Sequence, residues 1–268
     1  MLVVAYGVIY YFSTPKSTEQ LIEDFAEKDT KVFITTKKFQ EFDYRVLTFQ
    51  KKIDTTLPTL VFVHGSIGSA SDFKKYLSDK DIQHNANLIA YDRVGYGVFK
   101  TGEVKESIEF EKNLLESLIN NIDSQKVILV GYSYGGPIVL ASNKKYKKIV
   151  LLAPAVISKV EPMPWALNLY KWETTRWLMP KAWQAASKEK ISHKKDLLHF
   201  EGLWNNNPSK IICIHGNNDW IVPYENSTIL KEKIAPNKFE LITLDGAGHD
   251  LVWSNFNEIR DILLQQLN

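Results

Sequence analysis

The sequence predicts an α/β protein with a mostly parallel sheet that helices cover on both faces. Short stretches that favour strands recur along the chain after residue 30, and segments with helical spacing separate most of them. Most of these strands are apolar along their whole length, which is typical of parallel strands buried on both faces. One long segment, residues 155–208, contains no clear strand and interrupts the alternation.

The strands are predicted in chain order. VFITT and YRVLTFQ predict an opening hairpin, because the second stretch alternates apolar and polar residues. Six largely apolar stretches then predict the remaining strands: TLVFV, NLIAY, KVILV, KKIVLL, IICI and FELITL. Together these stretches form the predicted sheet.

The helices are predicted between the strands. Ser71 or Asp72 is a suitable N-cap for a helix that extends to about Ser78. Apolar side chains recur at helical spacing between Val104 and Ile122, which predicts an amphipathic helix. Three further helices are expected at about residues 134–143, 225–234 and 255–267.

Residues 155–208 are predicted to form a helical cap over the carboxyl ends of the strands. The segment holds five of the seven tryptophans, and a structureless loop of that length is uncommon in a compact domain. It carries eight Lys or Arg residues against five Asp or Glu residues. We interpret this excess as a solvated face, with contact to an anionic membrane surface or an acidic substrate as the alternative.

Residues 1–30 are set apart as an apolar segment and a tether. The first twelve, MLVVAYGVIYYF, carry no charged side chain, but a helix of that length reaches about 18 Å and the hydrocarbon core of a bilayer measures about 30 Å. The segment is either the tail of a signal anchor that starts upstream or a short amphipathic or buried segment. We favour membrane attachment, so a membrane-anchored or exported protein is expected, and a cytoplasmic one otherwise.

The composition excludes several classes of function. The chain has 268 residues, which suits one large domain or one domain with an insertion. Its formal net charge is +2, and the basic residues are spread without a nucleic-acid-binding signature, so no nucleic-acid partner is expected. No HExxH, paired CxxC, GxGxxG or P-loop pattern occurs, so the sequence implies neither a metal nor a cofactor. The oligomeric state is left open.

Reactive side chains follow three of the predicted strands. Sites in open α/β sheets lie at the carboxyl ends of the strands. KVILV leads to Ser133 within GYSYGG, IICI leads to Asp219, and FELITL leads to His249. A serine, a carboxylate and a histidine are therefore expected at one edge of the sheet.

The stretch GYSYG fits the strand–turn–helix signature of a nucleophile elbow. Its glycines leave room for a close backbone crossing, and backbone N–H groups at the start of the helix face a developing oxyanion. A serine hydroxyl is a weak nucleophile at neutral pH and needs a base, which His249 can supply. The base needs an orienting carboxylate, and Asp219 is the only carboxylate in its loop.

With these residues the chain resembles the α/β-hydrolase superfamily from about residue 32 to its C-terminus. The resemblance rests on five stretches in order: HG at 64–65, DRVGYG at 92–97, GYSYGG at 131–136, GNNDWIVP at 216–223 and GAGH at 246–249. It implies an eight-stranded, mostly parallel sheet in a core of residues 31–154 and 209–268, with residues 155–208 as the cap. By the same resemblance Ser133 is the nucleophile, Asp219 the acid and His249 the base.

The resemblance also implies an oxyanion hole. One donor would be the backbone N–H of Tyr134, directly after the nucleophile. The second would be the N–H of Ser66 or Ile67, and the choice stays open because the loop is HGSIGS rather than the HGGG of some lipases. His64 and His215 are expected to be structural, as is the DRVGYG turn.

The predicted function is hydrolysis of a carboxylic ester of a small to medium, hydrophobic substrate through an acyl-enzyme. Trp165, Trp172 and Trp177 are candidate substrate-binding residues, with ordinary packing of the cap on the core as the alternative. A serine at the elbow disfavours dehalogenase and epoxide hydrolase chemistry, which use aspartate there. The main alternative is a C–C bond or amide hydrolase with the same triad, and a further one is a non-catalytic binding protein on the same fold.

Overall fold

The computed structural model describes residues 14–99 and 101–267. The apolar segment predicted at residues 1–12 lies outside the described residues. Among the helices that are described, none combines the length and the apolar character needed to cross a membrane.

The eight predicted strands form one sheet. Their bounds are β1 Phe33–Phe39, β2 Phe42–Thr48, β3 Thr59–Val63, β4 Asn87–Tyr91, β5 Val127–Tyr132, β6 Lys148–Leu152, β7 Ile211–Gly216 and β8 Phe239–Leu244. Neighbours follow the order β1-β2-β4-β3-β5-β6-β7-β8. The pairs β1–β2 and β2–β4 are antiparallel, and the other pairs are parallel. The prediction of a mostly parallel sheet with an opening hairpin is confirmed.

Helices precede, separate and follow these strands. Their bounds are α1 Thr18–Ala26, α2 Lys74–Leu77, α3 Lys80–Asn85, α4 Ile108–Leu118, α5 Gly135–Leu140, α6 Leu167–Lys171, α7 Glu173–Arg176, α8 Lys181–Phe200, α9 Glu225–Lys233, α10 Leu251–Ser254 and α11 Phe256–Leu267. The prediction that Ser71 or Asp72 caps a helix is wrong. Ser69 is the N-cap, and it forms a capping box with Asp72 at the start of a 3-10 turn that leads into α2.

The sheet has a hydrophobic core on each face, because successive side chains of a strand point to opposite sides. In β3, Val61 and Val63 belong to one core, and Leu60 and Phe62 belong to the other. Side chains of α4 and α5 complete the first core, and those of α1, α2 and α11 complete the second. Each fully buried aliphatic side chain stabilises the fold by roughly 1.5–3 kcal/mol, so both layers of helices are held firmly on the sheet.

The helix predicted between Val104 and Ile122 is shorter than its apolar pattern. It begins as α4 after Ser107, whose side chain accepts a hydrogen bond from the Phe110 N–H at 3.2 Å. The capping bond defines the first turn, so residues 104–107 stay outside the helix. The apolar pattern continues past Leu118 because the following turn also packs on the core.

Residues 155–208 leave the sheet after β6 and return to it at β7, and we call them the inserted segment. Since β6 is parallel to β5 and β7, the segment emerges at the same carboxyl edge where β5 and β7 end. It contains α6, α7 and α8. The long helix α8 buries one face, marked by residues four positions apart: Ala185, Glu189, His193 and Leu197.

Candidate active site

The turn after β5 holds Ser133 in a strained backbone conformation. Its φ is 53°, in the left-handed region that residues other than glycine rarely adopt. Gly135 passes so close to the Val63 carbonyl that any Cβ would overlap it, and a Cβ on Gly65 would lie 2.8 Å from the Ser133 Cβ. The glycines therefore permit a sharp turn that places Ser133 at the carboxyl edge of the sheet, against the loop after β3.

His249 contacts Ser133 and Asp219. Its Nε2 lies 3.0 Å from Ser133 Oγ, and its Nδ1 lies 2.7 Å from Asp219 Oδ2. Because a carboxylate can only accept, Nδ1 carries the proton and Nε2 is the acceptor for the serine hydroxyl. The ring stacks on Tyr132 with 5.1 Å between centroids, and the Tyr132 hydroxyl donates to the His249 carbonyl at 2.8 Å. These contacts hold both the ring and its loop.

Asp219 is a buried carboxylate that accepts four hydrogen bonds. Oδ1 accepts from the N–H groups of Ile221 and Val222, each at 2.9 Å. Oδ2 accepts from His249 and, at 3.2 Å, from Nε2 of His215. Burial acts to raise the pKa of Asp219, but the hydrogen bonds from both histidines and the Val222 N–H outweigh it and lower the pKa. The group is therefore charged at neutral pH and orients His249.

His215 supports Asp219 from the side. It is fully buried, and its Nε2 lies between Asp219 Oδ2 and the Val222 carbonyl at 3.1 Å. Both neighbours are acceptors, so Nε2 carries the hydrogen. Its Nδ1 then accepts from the Ser227 hydroxyl at 2.6 Å. These bonds hold the imidazole as a fixed donor to Asp219.

The loop after β3 lies beside Ser133. His64 Nδ1 donates to the Gly65 carbonyl at 2.7 Å, and His64 Nε2 accepts from the Arg93 N–H at 2.9 Å. Burial, with the nearby Arg93 charge, lowers the pKa of His64 well below its ordinary value, so this histidine is neutral. Ser66 and Ile67 follow directly. The three predicted oxyanion donors are thus on the two chain segments that meet at the nucleophile.

Behind this loop, Arg93 and Glu189 form a fully buried ion pair. The guanidinium lies over the rings of Tyr134 and Tyr96, 4.5 Å and 5.1 Å from their centroids. The second oxygen of Glu189 accepts from the Tyr96 hydroxyl at 2.5 Å and from the Ser66 hydroxyl. A carboxylate of α8 therefore reaches the loop that holds two of the predicted donors.

The three candidate substrate-binding tryptophans lie exposed. Trp165, Trp172 and Trp177 are 69%, 49% and 73% exposed. The rings of Trp165 and Trp172 meet edge to face with 6.2 Å between centroids, and the Trp177 Nε1–H donates to the Thr174 carbonyl within its own turn. All three side chains are exposed, and their assignment to substrate binding stays a prediction.

A protein-family comparison covers the candidate site. The model of the alpha/beta hydrolase family matches residues 60–262, which include Ser133, Asp219, His249 and the loop after β3. The chain belongs to the alpha/beta hydrolase family. It is 26% identical over 199 residues to the alpha/beta hydrolase domain-containing protein aho-3 of Caenorhabditis elegans, and the match covers 72% of this chain. The chain spans about half the length of that curated relative, 52%.

Solved structures agree with this family. A proposed aryl esterase from Burkholderia cenocepacia superposes with a TM-score of 0.69 at 17% identity, over 87% of this chain and 97% of that one. A proposed lipase, lip1, from Acinetobacter baumannii AYE gives 0.65 at 16% identity over 94% and 95% of the two chains. A membrane phospholipase A gives 0.65 at 14% identity over 99% and 94%. These likenesses confirm the predicted fold.

Two contacts of this alpha/beta hydrolase were missing from the sequence prediction. Tyr132 lies inside the elbow motif, but nothing in that motif predicts that its hydroxyl donates to the His249 carbonyl. Glu189 stands in the charged run KEK and has the local character of a solvent-facing residue. The available signal was its four-residue spacing with Ala185 and His193, which marks the buried face of α8. Within residues 14–99 and 101–267, no three His, Cys, Asp or Glu side chains are arranged to hold a metal ion.

Proposed function

We propose that this hydrolase cleaves a carboxylic ester of a small to medium, hydrophobic substrate through Ser133, His249 and Asp219. One observation carries the proposal. The Ser133 hydroxyl lies 3.0 Å from a ring nitrogen of His249 whose other nitrogen is held at 2.7 Å by a buried, charged carboxylate. This is the arrangement in which a serine hydroxyl can lose its proton as it attacks a carbonyl carbon.

In the proposed reaction, Ser133 Oγ attacks the ester carbonyl while His249 Nε2 takes the hydroxyl proton. The imidazolium, stabilised by Asp219, then gives that proton to the leaving alcohol, and the acyl group remains on Ser133. Water attacks the acyl-enzyme by the same route, with His249 again as the base. The carboxylic acid leaves and the free serine is restored.

The oxyanion of each tetrahedral intermediate would accept hydrogen bonds from two backbone N–H groups. One belongs to Tyr134, and the other belongs to Ser66 or Ile67. Such donors act most strongly where they are held in place before the charge develops. The packing of Gly65 on the Ser133 side chain supports this role, because it keeps the loop and the nucleophile in contact.

The ester bond is supported by the names of similar structures, which include a proposed aryl esterase, a proposed lipase and a membrane phospholipase A. The proposal also assigns residues 155–208 the role of a cap. Their emergence at the carboxyl edge and the contact of Glu189 with Ser66 support it. Residues 1–12 are proposed to attach the protein to a membrane, on the strength of their uncharged sequence.

Hydrolysis of p-nitrophenyl esters from acetate to palmitate tests this function. Wild type is expected to turn over, with a chain-length optimum that measures the acyl pocket. Ser133→Ala should lower kcat/KM by at least about 10³-fold. Ser78→Ala is the matched control, since that serine has a buried hydroxyl with no hydrogen-bond partner in the described residues, and it should keep wild-type activity.

Two results would contradict the ester assignment. If folded wild type cleaves no ester but a fluorophosphonate labels Ser133, the bond that the protein cleaves would be assigned as an amide or a C–C bond. If the reagent labels neither wild type nor the Ser78→Ala control, the protein is a binding protein on a hydrolase fold.

A further inference from the structure

The outer surface of the inserted segment is apolar. Seven large apolar side chains are exposed there: Met163, Trp165, Leu169, Trp172, Trp177, Leu178 and Trp183. They make up seven of the sixteen exposed large apolar side chains in the described chain, within only 21 of its residues. Such a concentration marks an interaction surface, since soluble proteins usually scatter these residues singly. We call residues 163–183 the tryptophan surface.

The tryptophan surface is also cationic. It carries Lys171, Arg176 and Lys181 against a single acidic residue, Glu173. Tryptophan places an apolar ring and a polar N–H at the boundary between lipid and water, and basic side chains beside it are attracted to anionic headgroups. The apolar rings alone could equally contact a protein partner. Apolar rings together with positive charge favour the surface of a bilayer instead.

The N-terminal end of the described chain lies at the same edge of the sheet. The Lys16 carbonyl accepts a hydrogen bond from Arg45 Nη1 at 2.8 Å. Arg45 in turn forms a buried ion pair with Asp92 at 2.7 Å, directly after the end of β4. The next residue, Arg93, pairs with Glu189 of the inserted segment. The chain therefore enters beside the inserted segment, preceded by the uncharged residues 1–12.

We propose that the tryptophan surface docks onto a lipid bilayer that contains anionic lipid, as a second contact beside residues 1–12. The tryptophan surface and the first described residues are on the side of the molecule where the carboxyl ends of the strands hold Ser133. Docking would turn this edge toward the membrane, so that the site would receive substrates that partition into the bilayer. The docking itself requires no hydrolysis.

Vesicle binding of the full-length chain tests the docking. Binding is measured in a Ser133→Ala background, so that no lipid is cleaved, on vesicles of phosphatidylcholine with or without about 30% phosphatidylglycerol. The substitution Trp165→Ala/Trp172→Ala/Trp177→Ala should weaken partitioning onto the anionic vesicles about tenfold or more. The control Leu198→Ala/Leu203→Ala removes two exposed apolar side chains of the same segment outside the tryptophan surface and should bind as the parent does.

The proposal also requires that phosphatidylglycerol strengthens binding and that salt weakens it. Equal partitioning of the parent and the tryptophan variant would overturn it, because residues 1–12 would then account for all of the binding. A tryptophan-dependent dimer in solution, detected by light scattering, would also overturn it and assign the surface to a second copy of the chain.

A different observation concerns the inner face of the same segment. Glu189 is 1% exposed, and both of its carboxylate oxygens are used. One pairs with Arg93, whose guanidinium lies over the Tyr134 ring, and the other accepts from the hydroxyls of Tyr96 and Ser66. The carboxylate is thus joined to Ser66 directly and to Tyr134 through Arg93. These are the two sides of the proposed oxyanion hole.

A buried carboxylate is costly to desolvate, and it persists where its partners satisfy it fully. Here the partners come from the loop after β3 and from the turn after β4, and the carboxylate comes from α8. The four groups are the Glu189 carboxylate, the Arg93 guanidinium and the hydroxyls of Tyr96 and Ser66. None of them can move far without leaving a buried charge or hydroxyl unpaired. The Ser66 side chain is therefore fixed, and its own N–H and that of Ile67 are fixed with it.

We infer that Glu189 is a positioning residue that holds the oxyanion loop, so that the inserted segment controls turnover at Ser133. The inference rests on the proposed function. For the soluble substrate p-nitrophenyl acetate, Glu189→Gln should lower kcat about 10- to 100-fold and change KM by no more than about threefold. The matched control is Glu201→Gln, whose carboxylate accepts from the Ser158 N–H at 3.0 Å within the inserted segment, and it should keep the wild-type kcat.

A second variant separates positioning from general stability. Ser66→Ala keeps the backbone N–H but removes the hydroxyl that contacts Glu189. Its loss of kcat should be non-additive with that of Glu189→Gln, since the two groups act through one contact. A normal kcat for folded Glu189→Gln, or full additivity of the two losses, would overturn the inference. If wild type cleaves no ester, the rate at which a fluorophosphonate labels Ser133 serves as the readout, so a failed substrate assignment stays distinguishable.

Discussion

The core supplies Ser133, Asp219 and His249 from the ends of three strands, whereas the inserted segment reaches the same edge through side chains of α8. Backbone elements set the geometry on the core side. Ser133 is held by a strained turn, and Asp219 is held by two backbone N–H groups of its own loop. On the inserted side the contacts are made by long side chains, and Glu189 spans the gap to Ser66.

Because of this difference, the core side and the inserted side are expected to respond differently to substitution. Groups held by backbone bonds keep their place when one side chain is altered, so substitutions on the core side should chiefly affect the chemical step and leave the fold intact at neutral pH. The buried charges between core and inserted segment depend on each other, so substitutions there should change stability and its pH dependence as well.

The largest effect is expected on the core side, from Asp219→Asn. An amide can donate to His249 Nδ1 and hold the imidazole in the wrong tautomer, so kcat on p-nitrophenyl esters should fall by about 10³- to 10⁴-fold. KM should stay within a few-fold, because Asp219 is buried behind His249. A loss smaller than about tenfold would show that another carboxylate orients the base.

Asp219→Asn should also change how the stability of the protein depends on pH in acid. The pKa of Asp219 is lowered in the fold, so its charged form stabilises the protein fully above the unfolded value of about 3.9 and loses that effect as the pH falls toward the lowered pKa. Wild type should therefore lose stability between about pH 4 and pH 2 more steeply than Asp219→Asn. Chemical unfolding at a series of pH values measures the two slopes.

A smaller effect, on stability, is expected from substituting Glu111 of α4. This residue lies beside Arg93, which pairs with Glu189 of the inserted segment. Its carboxylate lies 3.8 Å from Arg93, and neither of its oxygens has a hydrogen-bond partner in the described residues. Burial raises its pKa to about 7, against the attraction of Arg93 and with the repulsion of Glu189. The unfolded value is about 4.3. The folded state therefore holds this proton more tightly, and stability is lost as the pH rises from about 4 to about 7.

Glu111→Gln should remove this loss of stability at higher pH. At pH 8 the variant is expected to be more stable than wild type by on the order of 1–3 kcal/mol, and the difference should shrink toward pH 5. Thermal unfolding between pH 5 and pH 8 measures it, with the exposed Glu109→Gln of the same helix as control. A variant that is less stable at pH 8 would mean that Arg93 needs both carboxylates.

Much of the core side could be predicted from local patterns. Apolar runs indicated the strands, and GYSYG indicated the turn at Ser133, because both features depend on residues close together in the chain. The order of the strands placed Asp219 and His249 at the same edge. The N-cap at Ser69 was missed, since Ser71 and Asp72 offer equally good local chemistry and only the packing of the loop selects among them.

The sequence by itself determined the fold class, the strained serine turn and the residues available to complete a relay, because short-range sterics and hydrophobic periodicity decide these features. Only the tertiary structure decided that His215 supports Asp219 and that Glu189 meets Ser66, 123 residues away in the chain. It also decided that the four tryptophans of residues 163–183 are exposed, whereas Trp204 of the same segment is buried. Contacts of this kind depend on how separate elements pack, and no local pattern records which buried partner a charged side chain will find.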